Sequence, residues 1–268
     1  MSTPTGDNAF LHELELDVRA KLTLAETSQP EAEAAGIPGD DLMLDPDAQR
    51  YEVSLHTLLD AAFRYGHGQI RHTYRLVDGG PAVPLFPNLI GFGPLPAGRR
   101  LDLAQVFDMP GHPPAQRAKR LDGQLAASLI ALPEQVTGAV DTPAYHSLAV
   151  RDLLRGETTG LPSGEAVALL VGATPLTPGE LEHTWPHGTP LWFYILKEAE
   201  HRGGGDRLGP VGGQIVTEVL IGLLRADPAS YLCLEPDWQP TLPAAGPGYG
   251  LADLITLGVH RDRPARPA

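Results

Sequence analysis

His67 stands between two glycines in the run Ala62-Phe63-Arg64-Tyr65-Gly66-His67-Gly68-Gln69-Ile70-Arg71. An imidazole can bind a metal through one ring nitrogen while the other donates a hydrogen bond that fixes its tautomer and basicity. With no Cβ at positions 66 and 68, a bulky, flat group can approach the ring. Arg64 lies one helical turn before His67 on the same face.

Other arrangements carry less. His183-Thr184-Trp185-Pro186-His187 has metal-like spacing, but Pro186 breaks the helix that would align the two rings. Glu198 and His201 make one Glu-x-x-His, whereas a di-iron site needs two such motifs and further carboxylates. The run from Gly203 to Gly213 lacks a preceding strand and a Lys-Ser/Thr, so it reads as a helix–helix connection, not a phosphate loop. Cys233 has no pattern around it and reads as a small buried apolar residue. Trp192, Phe193 and Tyr194 read as core and pocket wall.

These side chains must be held by helices. Val53, Leu55, Leu59, Phe63, His67, Ile70 and Tyr74 recur at helical spacing and predict one helix from Tyr51 to about Leu76, stopped by Asp78-Gly79-Gly80-Pro81. A long loop dense in Pro and Gly follows, with a short element at Leu101–Phe107. Helices are expected over roughly 116–130 and 143–156. Ser163 is the expected N-cap of a helix through Leu170, and Thr177-Pro178-Gly179-Glu180 is a capping box with Pro at the first helical position. Thr189-Pro190 opens a helix from Leu191 to His201, and Gly209-Pro210 opens an apolar one through Leu224. No segment alternates with period two for long, so the fold class is mainly α.

The chain has 268 residues and a net charge of −13. That length can bury one substantial core. The acidity argues against nucleic acid, whose phosphates need a basic surface. A single cysteine leaves no internal disulfide and leans towards a cytoplasmic location. No apolar run of about 18 residues is present, so no membrane span is expected, and Met1 to Asn8 shows no export signal. The first fifty residues hold eleven Asp/Glu against three Lys/Arg, and so carry −8 of the −13. Residues 1–48 are expected to be an acidic arm, 49–260 a helical domain and 261–268 a tail.

The His67 run resembles the proximal-histidine helix of the animal-type haem peroxidases, the peroxidase–cyclooxygenase superfamily. Two further segments carry the resemblance. One is Leu148-Ala149-Val150-Arg151-Asp152-Leu153-Leu154-Arg155-Gly156 with Gly160-Leu161-Pro162-Ser163-Gly164. The other is Gly188-Thr189-Pro190-Leu191-Trp192-Phe193-Tyr194 with Asp206 to Gly213 and the apolar helix after it, which is similar to the C-terminal helices of bacterial members. Trp238 and Leu251-Ala252-Asp253-Leu254 resemble the end of those proteins. The likeness spans about 50–258, the C-terminal, proximal half of the family's domain.

The resemblance implies a haem-peroxidase-like helical domain with haem b bound to His67, and hydrogen peroxide and a small donor as substrates. It implies that Asp152, standing where the family usually has Asn, accepts the proximal imidazole N–H. An ionised acid there would push the ring further towards imidazolate than the family norm. It implies that Arg155 binds a haem propionate, and Arg64, one turn before His67 on the same face, is positioned to reach a propionate if His67 holds the iron. The family's distal His and Arg precede the proximal helix. Here the upstream histidine is His12, without the family's pattern, and His56 belongs to the His67 helix itself. Loss of that acid–base pair would slow turnover by ~10²–10⁴-fold. The alternative is a non-catalytic haem-binding or scaffold subunit, or one half of a two-chain peroxidase, with a homo-oligomer or a second chain covering the open haem face.

Overall fold

The computed structural model describes residues 58–91, 100–244 and 248–261, with side chains through 258. The acidic arm, His12, His56 and the final residues 262–268 lie outside the described residues. About half of the described residues are helical and few are in strands, so the chain is mainly α.

A π-helical segment, Leu58–Ala62, runs directly into a 3-10 helix, Phe63–Gln69. A short antiparallel hairpin follows, with β1 at Thr73–Arg75 and β2 at Ala82–Pro84, Tyr74 opposite Val83. The α-helices with a structural role are α1 (Leu148–Thr158), α2 (Gly164–Leu170), α3 (Pro178–Leu181), α4 (Leu191–Gly203), α5 (Pro210–Ala226) and α6 (Leu251–Arg261). No helix among the described residues is long and apolar enough to cross a membrane.

The core is organised around α4. Leu191, Trp192, Tyr194, Ile195, Leu196 and Ala199 are all buried, so this helix is enclosed on nearly every side. The π segment, the 3-10 helix, α1, α2, α3 and α5 all pack on it. Close approach depends on small residues opposite its bulky ones. A Cβ at Gly164 would lie 1.9 Å from Tyr194 Cγ, and one at Gly212 2.7 Å from Ile195 Cγ2. The Tyr194 hydroxyl then accepts the Leu176 N–H at 3.0 Å, which satisfies a buried polar atom.

Local signals placed several ends correctly. Ser163 caps α2 by accepting from the Ala166 N–H, and Thr177 with Glu180 forms a complete capping box on α3. Pro210 opens α5, with Asp227 past its end.

Three expectations are corrected. The helix expected from Tyr51 to Leu76 is, where described, a π turn and a 3-10 helix that stop at Gln69, with Ile70 already extended (φ −70, ψ 135). Two glycines in seven residues give little helix propensity, and Thr73 and Tyr74 pair in the hairpin instead. Ile70 and Tyr74 therefore leave the stripe. The helix expected over 116–130 is confined to Ala127–Ile130. Upstream, the N–H groups of Gln116, Lys119 and Leu121 donate to Gln105, Gln69 and Gly205 carbonyls, so those donors are not free for a helix. Cys233 is exposed, its thiol directed at the Arg225 carbonyl on the rim of α5.

Candidate functional site

A 3-10 helix has 3.0 residues per turn, so side chains three apart stand above one another. From Phe63 to Gln69 this makes three lines of residues. Tyr65 and Gly68 face the core, where a Cβ on Gly68 would meet Leu196 and Leu121 side chains at 3.1 and 3.2 Å. Arg64 and His67 face α1. Phe63, Gly66 and Gln69 form the third line, with Phe63 exposed. The glycines flanking His67 thus differ: Gly66 has nothing within 4 Å of a notional Cβ, whereas Gly68 is there for close packing. Only one side of His67 offers the clearance expected from its glycines.

Because Arg64 and His67 are stacked, both reach one carboxylate on α1. His67 Nδ1 lies 2.7 Å from Asp152 Oδ2, and Arg64 Nη1 donates to Asp152 Oδ1 at 3.1 Å. Asp152 is wholly buried. Arg64 is further fixed by its Nε, which donates to the Leu59 carbonyl at 3.0 Å, and Trp192 of α4 donates to the Arg64 carbonyl at 3.2 Å. The imidazole therefore has a set orientation and a set tautomer: with Nδ1 facing a carboxylate as donor, Nε2 carries the lone pair. Nε2 has no hydrogen-bond partner among the described residues, and the His67 side chain is 32% exposed.

A second pair runs the opposite way. Arg155, one turn beyond Asp152 on α1, donates through Nε to Asp60 Oδ1 at 2.7 Å, and Asp60 sits buried in the π segment. Asp60 also lies 4.0 Å from Arg64 Nη2. Each element thus contributes one Asp and one Arg, and each Arg crosses to the other element's Asp. The positive and negative charges balance, which makes burial of two carboxylates tolerable. Asp60 was not singled out from the sequence. Its signal is an Asp about one turn before an Arg in both segments, four residues apart in Asp60 and Arg64 and three in Asp152 and Arg155.

Chemically, a carboxylate-oriented imidazole with an open Nε2 can serve as a metal ligand or as a proton acceptor. No serine, threonine or cysteine hydroxyl or thiol meets Nε2 among the described residues, which therefore assemble no nucleophile–base pair among themselves. No group of three His, Cys, Asp or Glu among them could hold a bare metal ion. Haem iron makes no such demand, since the macrocycle supplies four ligands and the protein need add one axial nitrogen. The residues present fit that requirement at His67. Arg64 and Arg155 are both engaged by carboxylates, Arg64 a quarter exposed and Arg155 45% exposed.

Arg64 also changes what Asp152 does to His67. A lone buried carboxylate would draw the Nδ1 proton strongly and push the ring towards imidazolate. Sharing its charge with a guanidinium weakens that pull, so the pair lies nearer to the neutral-acceptor case than Asp152 alone suggests.

The other candidates have structural partners. Glu198 accepts the Val211 and Gly212 N–H groups at the start of α5, and burial raises its pKa. His201 Nε2 lies 2.9 Å from the Glu180 carbonyl. The His183 ring packs edge-on against Phe193 with centroids 5.7 Å apart.

No known protein-family model matches this sequence, and no curated protein matches it.

Proposed function

We propose that this chain is a cytoplasmic haem-binding, peroxidase-like protein in which His67 Nε2 is the axial ligand of haem b. One observation carries the proposal: the fixed His67–Asp152 pair, which orients a partly exposed imidazole whose Nε2 has no hydrogen-bond partner among the described residues. The segments that resemble the proximal half of the animal-type haem peroxidases meet at this pair, which supports the same assignment. Bound haem would supply the iron chemistry by which hydrogen peroxide oxidises a small donor. The chain's own residues have narrower tasks. Asp152 holds the proton on Nδ1 and sets the angle of the ring. Arg64 holds Asp152 and tempers its charge. Arg155 and Asp60 lock α1 against the His67 segment.

The test is reconstitution with haemin. A shifted Soret band in the wild-type chain, absent in His67→Ala, is the expected result, followed by a hydrogen-peroxide-dependent oxidation assay with a small phenol or aromatic amine. A Soret band unaffected by His67→Ala removes the proposal.

A second reading has its own observation. Leu169 and Leu170 at the end of α2 are 69% and 71% exposed, and Leu234 and Trp238 beyond α5 are 67% and 53% exposed. Exposed apolar surface of this kind favours a partner, as a non-catalytic subunit or one half of a two-chain enzyme would need. Haem binding without measurable turnover, together with a dimer in solution, would select it.

A further inference from the structure

We propose that the surface formed by the β1–β2 hairpin and the segments 100–107 and 115–121 is the docking site of the chain's own acidic arm, residues 1–48. This goes beyond haem binding and does not depend on it.

Charge is divided unevenly along the chain. Residues 69–121 hold seven Lys/Arg against three Asp/Glu, a net +4 in a chain of −13. Backbone bonds bring these cations together. The stretch 116–119 runs alongside Gln69 to Arg75: the Lys119 N–H donates to the Gln69 carbonyl at 3.0 Å, and the Gln116 side chain bonds both backbone groups of Arg75 at 2.7 and 2.8 Å. Arg71 Nη1 donates to the Arg117 carbonyl at 3.1 Å. The Asp102 N–H donates to the Leu76 carbonyl at 2.7 Å, which brings Arg100 to the same end of the molecule. Arg117, Lys119 and Arg120 are paired with Asp108, Asp122 and Asp206. Arg71, Arg75 and Arg100 have no carboxylate partner among the described residues.

The same segments leave apolar side chains in water. Val77, Leu101, Leu103 and Val106 are 39–49% exposed. The bonds from Asp102 to Leu76 and from Gln116 to Gln105 hold their segments next to the cations. The hairpin packs mainly on itself and on the short helix Leu85–Asn88 that follows it, not on the core around α4. An occupant must therefore offer carboxylates and apolar groups together.

The arm offers both. Leu11, Leu14, Val18 and Leu22 recur at spacings of three and four, with Glu13, Glu15 and Asp17 between them. The first fifty residues carry −8, the opposite sign to 69–121. Leu58, where the described residues begin, is thirteen positions before Arg71, so the arm joins the domain close to this surface in sequence. A covalent tether gives an effective concentration on the order of millimolar, at which contacts too weak to hold a separate chain suffice. A polyanion such as nucleic acid is repelled by the overall −13, whereas the arm is already attached.

The experiment uses the full chain and trypsin, because Arg19 and Lys21 are cleavage sites inside the stretch expected to dock. Cleavage there should be slow at low salt. Neutralising the arm with Glu13→Gln, Glu15→Gln and Asp17→Asn together should speed it by about tenfold or more, with no change to the domain's own bonds. Salt at about 0.5 M should bring the wild-type rate close to that of this variant, since it shortens the range of the attraction. Arg75→Glu with Arg100→Glu should also speed cleavage at low salt. Both side chains are exposed, so the melting temperature should be retained. Equal low-salt rates for the wild type and the neutralised arm overturn the proposal. So does protection that is lost in the arm variant but kept in Arg75→Glu with Arg100→Glu, which puts the arm elsewhere. Protection that grows with protein concentration gives the surface to a second copy's arm and overturns docking within one chain.

Discussion

Arg155 on α1 and Asp60 in the π segment meet at 2.7 Å, running antiparallel to the Arg64–Asp152 pair beside them. The two crossed pairs tie together segments far apart in the chain, with separations of 88 for Arg64 and Asp152 and 95 for Arg155 and Asp60. They also decide how the imidazole faces outward. A carboxylate that orients His67 must itself be held, and the crossed arginines hold both.

The first prediction concerns that coupling. Arg155→Ala leaves Asp60 buried with fewer partners and should lower stability by about 1–3 kcal/mol, the usual cost of removing one partner from a buried polar group. Arg155 is itself nearly half exposed, so the lower end of that range is expected. A double-mutant cycle with Asp60→Asn, read by urea unfolding, should show a coupling of about 0.5 kcal/mol or more. Strict additivity would mean that the two side chains act separately.

Asp152 separates orientation from charge. Asp152→Asn keeps an acceptor oxygen for His67 Nδ1 but removes the anion, whereas Asp152→Ala removes both. In haem-reconstituted protein the Asn variant should lower the iron–histidine stretching frequency and raise the reduction potential, because ligand basicity falls. Arg64→Gln should move both quantities the other way, since it releases the charge of Asp152. Equal spectra for wild type, Asp152→Asn and Arg64→Gln would show that the carboxylate does not tune the ring.

The sequence disclosed these parts unevenly, for physical reasons. Ser163 and Thr177 marked their helices because a cap bonds to N–H groups two or three residues on, within the window a sequence displays. α4 was legible for a different reason, since Pro190 makes no side-chain cap bond: an apolar run opens after Thr189-Pro190 and ends at glycines, where Gly204 takes a left-handed φ of 63°. The His67–Asp152 contact has no local signal at a separation of 85, and came from a resemblance between segments. The π and 3-10 turns escaped because helical periods of 3.0, 3.6 and 4.4 are hard to separate over so few residues. Asp60 escaped with them, since its partner lies on another element. The segment from 116 to 126 is not the expected helix because the N–H groups of Gln116, Lys119 and Leu121 donate to carbonyls of other segments, a pairing no local pattern displays.

Gly164 gives a packing prediction. A Cβ there would fall 1.9 Å from Cγ and 2.2 Å from Cβ of Tyr194, a side chain that is itself fully buried and hydrogen-bonded to Leu176. Gly164→Ala should destabilise by about 1–3 kcal/mol or more through overpacking. The comparison is Thr177→Ala, which deletes the capping box of a short exposed helix and should cost about 1 kcal/mol. Thermal melts of the two variants should rank them in that order, and Gly164→Ala should also perturb near-ultraviolet circular dichroism from the tyrosine.

Acid stability provides the last prediction, and two glutamates on neighbouring helices pull it in opposite directions. Glu180 accepts the Thr177 N–H and the Arg202 guanidinium, and these bonds hold its pKa down at about 2, below the ordinary 4.5. A group lowered in the folded state contributes stability above its unfolded value, and that contribution drains away as pH falls from about 4.5 towards 2. Glu198 is shifted upward by burial, although the N–H groups of Val211 and Gly212 oppose the shift. Its contribution is complete below 4.5 and is lost as pH rises through its raised value. Melting temperatures measured from about pH 2 to pH 6 should therefore fall less steeply below pH 4.5 in Glu180→Gln than in the wild type. Glu198→Gln keeps an acceptor for the start of α5 and should flatten the curve on the other side, above that value. Parallel curves for the wild type and Glu180→Gln would mean that its bonds to Thr177 and Arg202 contribute nothing to folding in acid.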